Sequence, residues 1–239
     1  MPFRRPRHWL RWLIGSVVVL VVLAVAGPFA YIHFFNGSAP AALSLSSPTA
    51  SATSGGDSPA TTTTASAAGT WTVGSGSTVG YRVNEVLLGQ NATAVGRSDS
   101  VTGHIIIQGT TVSAATFSVP MATVVSDKSQ RNAQFDGRIM DVSSYPTGTF
   151  TLTSPIALGT LPAVGVIKSY TATGNLTLHG HTRSVTFTLN AERTATTIEV
   201  QGSIPVLFSD WDIANPSIGG FVTTQDHGLL EFLLVVRKG

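Results

Sequence analysis

The chain has no cysteine among its 239 residues. Disulfides and thiolate metal sites are therefore excluded, and the fold must hold by core packing. Charge is scarce as well: Asp, Glu, Lys and Arg make up 11% of the chain. Arg4, Arg5, Arg7 and Arg11 crowd the N-terminus, whereas from Trp71 onward ten Lys and Arg stand against eleven Asp and Glu. That later part lacks the basic footprint that nucleic acid requires, so no nucleic-acid partner is expected. Signatures of catalysis are missing too. There is no G-x-S-x-G, and no glycine-rich loop opens a helix after a strand. Asp210 and Asp212 flank Trp211, but the second region of sugar-binding aromatics that a carboxylate pair would need is not there. The chain reads as a non-enzyme without a cofactor.

Hydrophobicity, by contrast, is concentrated at the start. From Trp12 to Ile32 there are 21 residues without a charged side chain, about the length a helix needs to cross a bilayer. The Arg cluster just before them predicts a cytoplasmic N-terminus and an extracytoplasmic remainder. Ala24-Val25-Ala26 resembles a signal-peptidase site, and cleavage would release a secreted domain. The apolar run continues past it to Phe35, which favours an uncleaved signal-anchor over residues 12–35 behind a basic tail of residues 1–11. Residues 36–69 are almost wholly Ser, Thr, Ala, Gly and Pro, with Asp57 as the one charge. Such a segment buries too little to offset its ordering entropy, so a disordered linker is expected.

Residues 70–239 have a different texture, for which Gly174–Leu189 is the pattern. Leu176 and Leu178 alternate with Asn175 and Thr177; Val185, Phe187 and Leu189 alternate with Ser184, Thr186 and Thr188. Period two gives each strand one apolar and one polar face, and Gly180 marks the reversal between them. Similar strands are expected around Val79–Val83, Val101–Gln108, Ala115–Val124, Thr149–Thr153, Thr197–Phe208 and Gly228–Arg237, with Leu87–Arg97 irregular. Ser126–Met140 breaks the alternation; Ser126 is placed to cap a short helix, with Phe135 and Ile139 on one of its faces. About eight antiparallel strands with short connections close as a barrel or a sandwich.

His179 and His181 bracket Gly180, and His104 and Asp226-His227 offer further metal ligands. Against a zinc site, the pair flanks a turn glycine, where ordinary turn contacts explain it; no metal is expected.

Three stretches resemble the YceI-like family of lipid- or polyisoprenoid-binding, lipocalin-like barrels. They are NLTLHGHTRSV (175–185), RNAQFDGRIMDVSSYPTGTF (131–150) and TWTVGSGSTVGYRV (70–83). The resemblance spans about residues 70–239. Departures are Asn132 where the family carries Asp, Gln134 where it carries His, and FSDWDI (208–213) without the family's basic residue. The resemblance implies an all-β, antiparallel eight-stranded barrel with a short helical segment and a tunnel for an isoprenoid chain such as a quinone or polyprenyl lipid. On the apolar faces, Phe117, Phe150, Leu176, Leu178, Phe187, Phe208 and Phe232 are candidate tunnel residues, with Phe135 and Met140 closing one end and Trp211 plugging a mouth. The partners expected are thus an isoprenoid-type lipid and, through residues 12–35, the membrane, with room for a homodimer. A filled barrel that displays loops to an envelope partner is the alternative; internal volume separates the two.

Overall fold

The structure, a computed structural model, describes residues 8–30, 39–45, 67–220 and 222–239. Residues 1–7 of the expected basic tail and most of the expected linker lie outside the described residues, and residues 8–11 of that tail belong to the first helix. Helix α1 covers His8–Ala30. Its side chains are described at Trp9 and over 12–22. Among the described residues no helix is long and apolar enough to cross a membrane. The expectation of a transmembrane helix over 12–35 is therefore not carried by this part of the structure, and 31–35 fall outside it.

Thirteen strands make one antiparallel sheet. They are β1 Gly69–Val73, β2 Thr78–Leu87, β3 Gln90–Ser98, β4 Thr102–Gln108, β5 Thr111–Pro120, β6 Val125–Ser126, β7 Thr147–Leu152, β8 Ile156–Ala157, β9 Ile167–Leu178, β10 His181–Arg193, β11 Thr197–Leu207, β12 Val222–Thr224 and β13 His227–Lys238. The expected eight-stranded barrel is present as the closed ring β1-β4-β5-β7-β9-β10-β11-β13, shut by pairing of Trp71–Val73 with Val236–Lys238. Farther along, β13 changes partner and pairs Leu229–Leu233 with β2. Ser77 sits at the change-over: its Oγ accepts from Val235 N at 2.9 Å and donates to Gly74 O at 2.8 Å.

The β2–β3 hairpin corrects the expectation that Leu87–Arg97 is irregular: Leu87 pairs with Gln90 across a turn at Leu88-Gly89. Small and polar residues dominate β3, so it carries little alternation to read. Also missed in the sequence are β1, the five-residue strand that closes the ring, and β6, β8 and β12, which are only two or three residues long.

Pro120 ends β5, and Met121–Thr123 turns as a 3-10 segment rather than continuing the strand. Helix α2 spans Ser129–Gln134 and runs into a π turn, Phe135–Ile139. Ser126 does not cap it; Lys128 holds the N-cap position without a side-chain bond. Ser126 instead donates through both its backbone N (2.7 Å) and Oγ (2.8 Å) to Asn132 Oδ1. Asn132 thus keeps a hydrogen-bonding role as a neutral residue.

The outer face of the β9–β10 hairpin is stitched by threonine pairs, Thr173–Thr186 at 2.9 Å and Thr177–Thr182 at 2.8 Å. On the outside of β2, β3 and β13, Arg82 and Arg97 both pair with Glu231, a carboxylate that is only 4% exposed. Residues 39–45, within the expected linker, contribute to this face: Arg82 Nη2 donates to Pro40 O at 2.7 Å, and Leu45 is buried.

Candidate functional site

Inward residues of the ring enclose a cavity of about 330 Å³. That lies at the small end of the range for ligand-sized pockets, roughly 300–1,000 Å³. Its wall is overwhelmingly apolar. All nine residues singled out from the sequence line it: Phe117, Phe135, Met140, Phe150, Leu176, Leu178, Phe187, Phe208 and Phe232. The sequence reading missed most of the aliphatic wall, including Val79, Val83, Ile105, Ile107, Ala172, Leu189, Val200 and Ile204. Many of these share the alternating faces identified in the sequence.

Glycine keeps the middle of the barrel open. Gly202 on β11 pairs with Phe232 on β13, and a Cβ at Gly202 would lie 2.7 Å from the Phe232 ring. Gly174 on β9 meets the Phe150 ring of β7 in the same way, at 2.4 Å. Each ring folds sideways over a neighbouring strand's bare backbone. Phe187 joins the two edge-on, at 5.5 Å from Phe150 and 5.8 Å from Phe232. Three large side chains therefore form a belt along the wall.

The helical segment closes one end. Phe135, Ile139 and Met140 face the cavity, and the Phe135 ring stacks on Tyr81 with centroids 5.2 Å apart. The same end holds the polar residues Glu85, Arg131 and Thr224. Arg131 Nη2 donates to Glu85 at 3.2 Å and its other nitrogen pairs with Asp127. Burial raises the Tyr81 phenol above its usual range, against the opposing pull of the Arg131 charge. These groups were not singled out in the sequence, although Tyr81 and Glu85 lie on the same face as Val79 and Val83. Tyr170, Glu192 and Arg193 border the cavity elsewhere.

Trp211 does not plug the cavity. It is 2% exposed and donates through Nε1 to Leu176 O at 3.3 Å, while Phe208 and Ile213 face inward beside it. Trp211 belongs to a corner that joins pieces of two of the resembling stretches, around His179-Gly180 and Tyr145. His179 (φ 47°) and Gly180 (φ 75°) both have the left-handed backbone of a tight hairpin turn. His179 Nδ1 lies 3.1 Å from Trp211 O, a bond that puts the proton on Nδ1. Tyr145 packs edge-on against His179 at 4.6 Å, and its ring occupies the space a Cβ on Gly180 would need. His227 bonds its neighbour Asp226 at 2.7 Å. Among the described residues no group of three metal-ligating side chains converges.

The comparisons accord with this geometry. A YceI-like domain model matches residues 71–236. A polyisoprenoid-binding domain from Saccharophagus degradans, implicated in plant cell wall breakdown, superposes with a TM-score of 0.58 at 17% identity, covering 72% of this chain and 99% of its own. BcnA from Burkholderia cenocepacia gives 0.51 at 21% identity, covering 65% and 95%. At such identities the likeness speaks for the fold. No curated protein matches. The chain belongs to the YceI-like domain family.

Proposed function

We propose that this protein binds an amphiphilic isoprenoid lipid, a quinone or polyprenyl lipid, inside its barrel and serves as a carrier, store or sensor of it. The observation that carries the reading is the hollow, apolar interior. At about 24 cal/mol per Å³, an unfilled space of this size corresponds to an upper bound of roughly 8 kcal/mol relative to a packed core. That is comparable with the whole stability of a typical domain, about 5–15 kcal/mol. A barrel that only displays loops gains nothing from such a void, which supports the carrier reading over the filled module. A lipid chain seated in the cavity recovers about 25 cal/mol for each Å² of apolar surface it buries. The mechanism is sequestration: chain in the barrel, head at a polar end.

Tethering is part of the proposal. The uncharged run from Trp12 to Ile32 behind four arginines supports a signal-anchor with the barrel on the extracytoplasmic side. An anchor would hold the cavity near the membrane that supplies its ligand.

The test is native mass spectrometry of the full chain, purified from an isoprenoid-producing host, with lipid extraction of the same sample. The expected result is a single retained lipid per chain with prenyl fragmentation. A clean apo mass that stays unchanged after incubation with quinone and polyprenyl lipids contradicts the proposal.

A further inference from the structure

The polar residues at the helix-closed end of the cavity do not match a phosphate. Thr224 on β12 pairs with Glu85 on β2, so the two side chains stand next to each other on the inner face. Tyr81 lies on that same face of β2, and Arg131 reaches Glu85 from α2. Thr224 is only 7% exposed, and its Oγ1 has no hydrogen-bond partner. A buried hydroxyl left in that state weakens the fold, and it is retained at a point where it borders the ligand space. The charges are also informative. Arg131 carries the one guanidinium of the cluster and already pairs with two carboxylates, Glu85 and Asp127. At the cavity the Glu85 and Arg131 charges balance, and Arg131 is committed further to the half-exposed Asp127 outside it. A phosphate or diphosphate head would meet the Glu85 carboxylate with no free guanidinium to oppose it. An uncharged oxygen has what it needs: the Thr224 hydroxyl to donate to it, beside the neutral Tyr81 phenol that Ser126 holds in place.

We propose that Tyr81, Glu85, Arg131 and Thr224 form a headgroup subsite that takes an uncharged oxygen-bearing head, hydroxyl or carbonyl, and selects against phosphorylated isoprenoids. This rests on the reading of the barrel as an isoprenoid carrier.

The test compares three probes of equal chain length, farnesol, farnesyl diphosphate and the headless hydrocarbon farnesane, on the detergent-solubilised full chain. Wild type is expected to bind farnesol at least tenfold more tightly than the diphosphate. Thr224→Val is expected to weaken farnesol about fivefold, the worth of one hydrogen bond, to leave farnesane unchanged, and to raise the Tm of the unliganded protein by removing the unpartnered hydroxyl. That combination separates a ligand contact from a packing role, which would move stability and all three affinities together. Glu85→Gln is expected to narrow the preference against the diphosphate at least threefold. Diphosphate binding as tight as farnesol, or farnesol affinity unaffected by Thr224→Val, overturns the subsite while leaving the carrier reading intact. Failure of all three probes, farnesane included, overturns the carrier reading and the subsite with it.

Discussion

Two regions of this barrel are built on opposite rules. At the corner where β9 turns into β10, each residue has a particular partner. His179 bonds the Trp211 carbonyl, Trp211 bonds the Leu176 carbonyl, and Tyr145 rests against both His179 and Gly180. On the cavity wall away from its polar end most residues need only be apolar and face inward, apart from glycines that let rings lie flat. The contrast teaches how differently one fold is pinned and hollowed. LHGHT and SSYPTG, pieces of two resembling stretches, meet FSDW at a structural corner. The strand part of the cavity wall is written mostly in plain period-two alternation, and other pieces of the same stretches, Val79, Val83, Phe135 and Met140 among them, complete it.

The comparison breaks most visibly at Trp211. Trp211→Ala removes a fully buried ring and its hydrogen bond, and is expected to cost about 3–5 kcal/mol in denaturant unfolding. The chains that remain folded are expected to keep their lipid uptake. Loss of uptake at unchanged stability would assign the corner to binding.

On the wall the order of effects reverses. Gly202→Leu drives the Phe232 ring, which now lies 2.7 Å from the glycine's missing Cβ, into the lumen. Lipid uptake is expected to fall more than tenfold for a stability cost of about 1–3 kcal/mol. Native mass spectrometry beside thermal unfolding reads both. Unchanged uptake would mean that the belt does not border the ligand.

Gly180→Ala sharpens the contrast from the corner side. The position has φ 75°, and an added Cβ would stand 2.4 Å from the Tyr145 ring. A loss of about 1–3 kcal/mol is expected, with no change in lipid affinity.

Much of this was legible in the sequence. Alternation located every ring strand but β1, and the inward face of residues such as Phe187 and Phe232, because a half-buried strand has no other way to satisfy both of its sides. The same signal is silent about cavity against core, since a ring pointing inward and a ring folded over glycine read identically. Gly202 sits unmarked within its expected strand; its partner Phe232 lies thirty positions away in sequence and becomes its neighbour only through the β11–β13 register. The β2–β3 hairpin hid in Ala, Thr and Asn, and Thr224 hid in a strand of three residues. Glu85 and Arg131, 46 positions apart, met through the fold alone.

The smallest expected effect is in pH, and it too divides the regions. Tyr81, at the cavity, has a phenol raised chiefly by burial. The unfolded chain then ionises first, so stability is full below about pH 10 and falls as pH rises beyond it. Tyr81→Phe is expected to flatten part of that alkaline slope; Tyr170, raised by burial as well, keeps the rest. Asp141, just before the corner, is held below its usual range by hydrogen bonds from Ser144 and Ser143. Its contribution is present above about pH 4 and is lost as the pH falls through the lowered value. Asp141→Asn is expected to shift only that acid limb. Unfolding curves across pH test both, and an acid-limb change in Tyr81→Phe would blur the division.

The central claim is that the barrel is hollow in order to hold a lipid. A crystal structure of the full chain equilibrated with a prenylated quinone tests it most directly. The account predicts continuous density for the chain between the Phe150–Phe187–Phe232 belt and Leu178, with the head beside Thr224 and Glu85. Density confined to the outer surface, around side chains that have collapsed into the lumen, would contradict it.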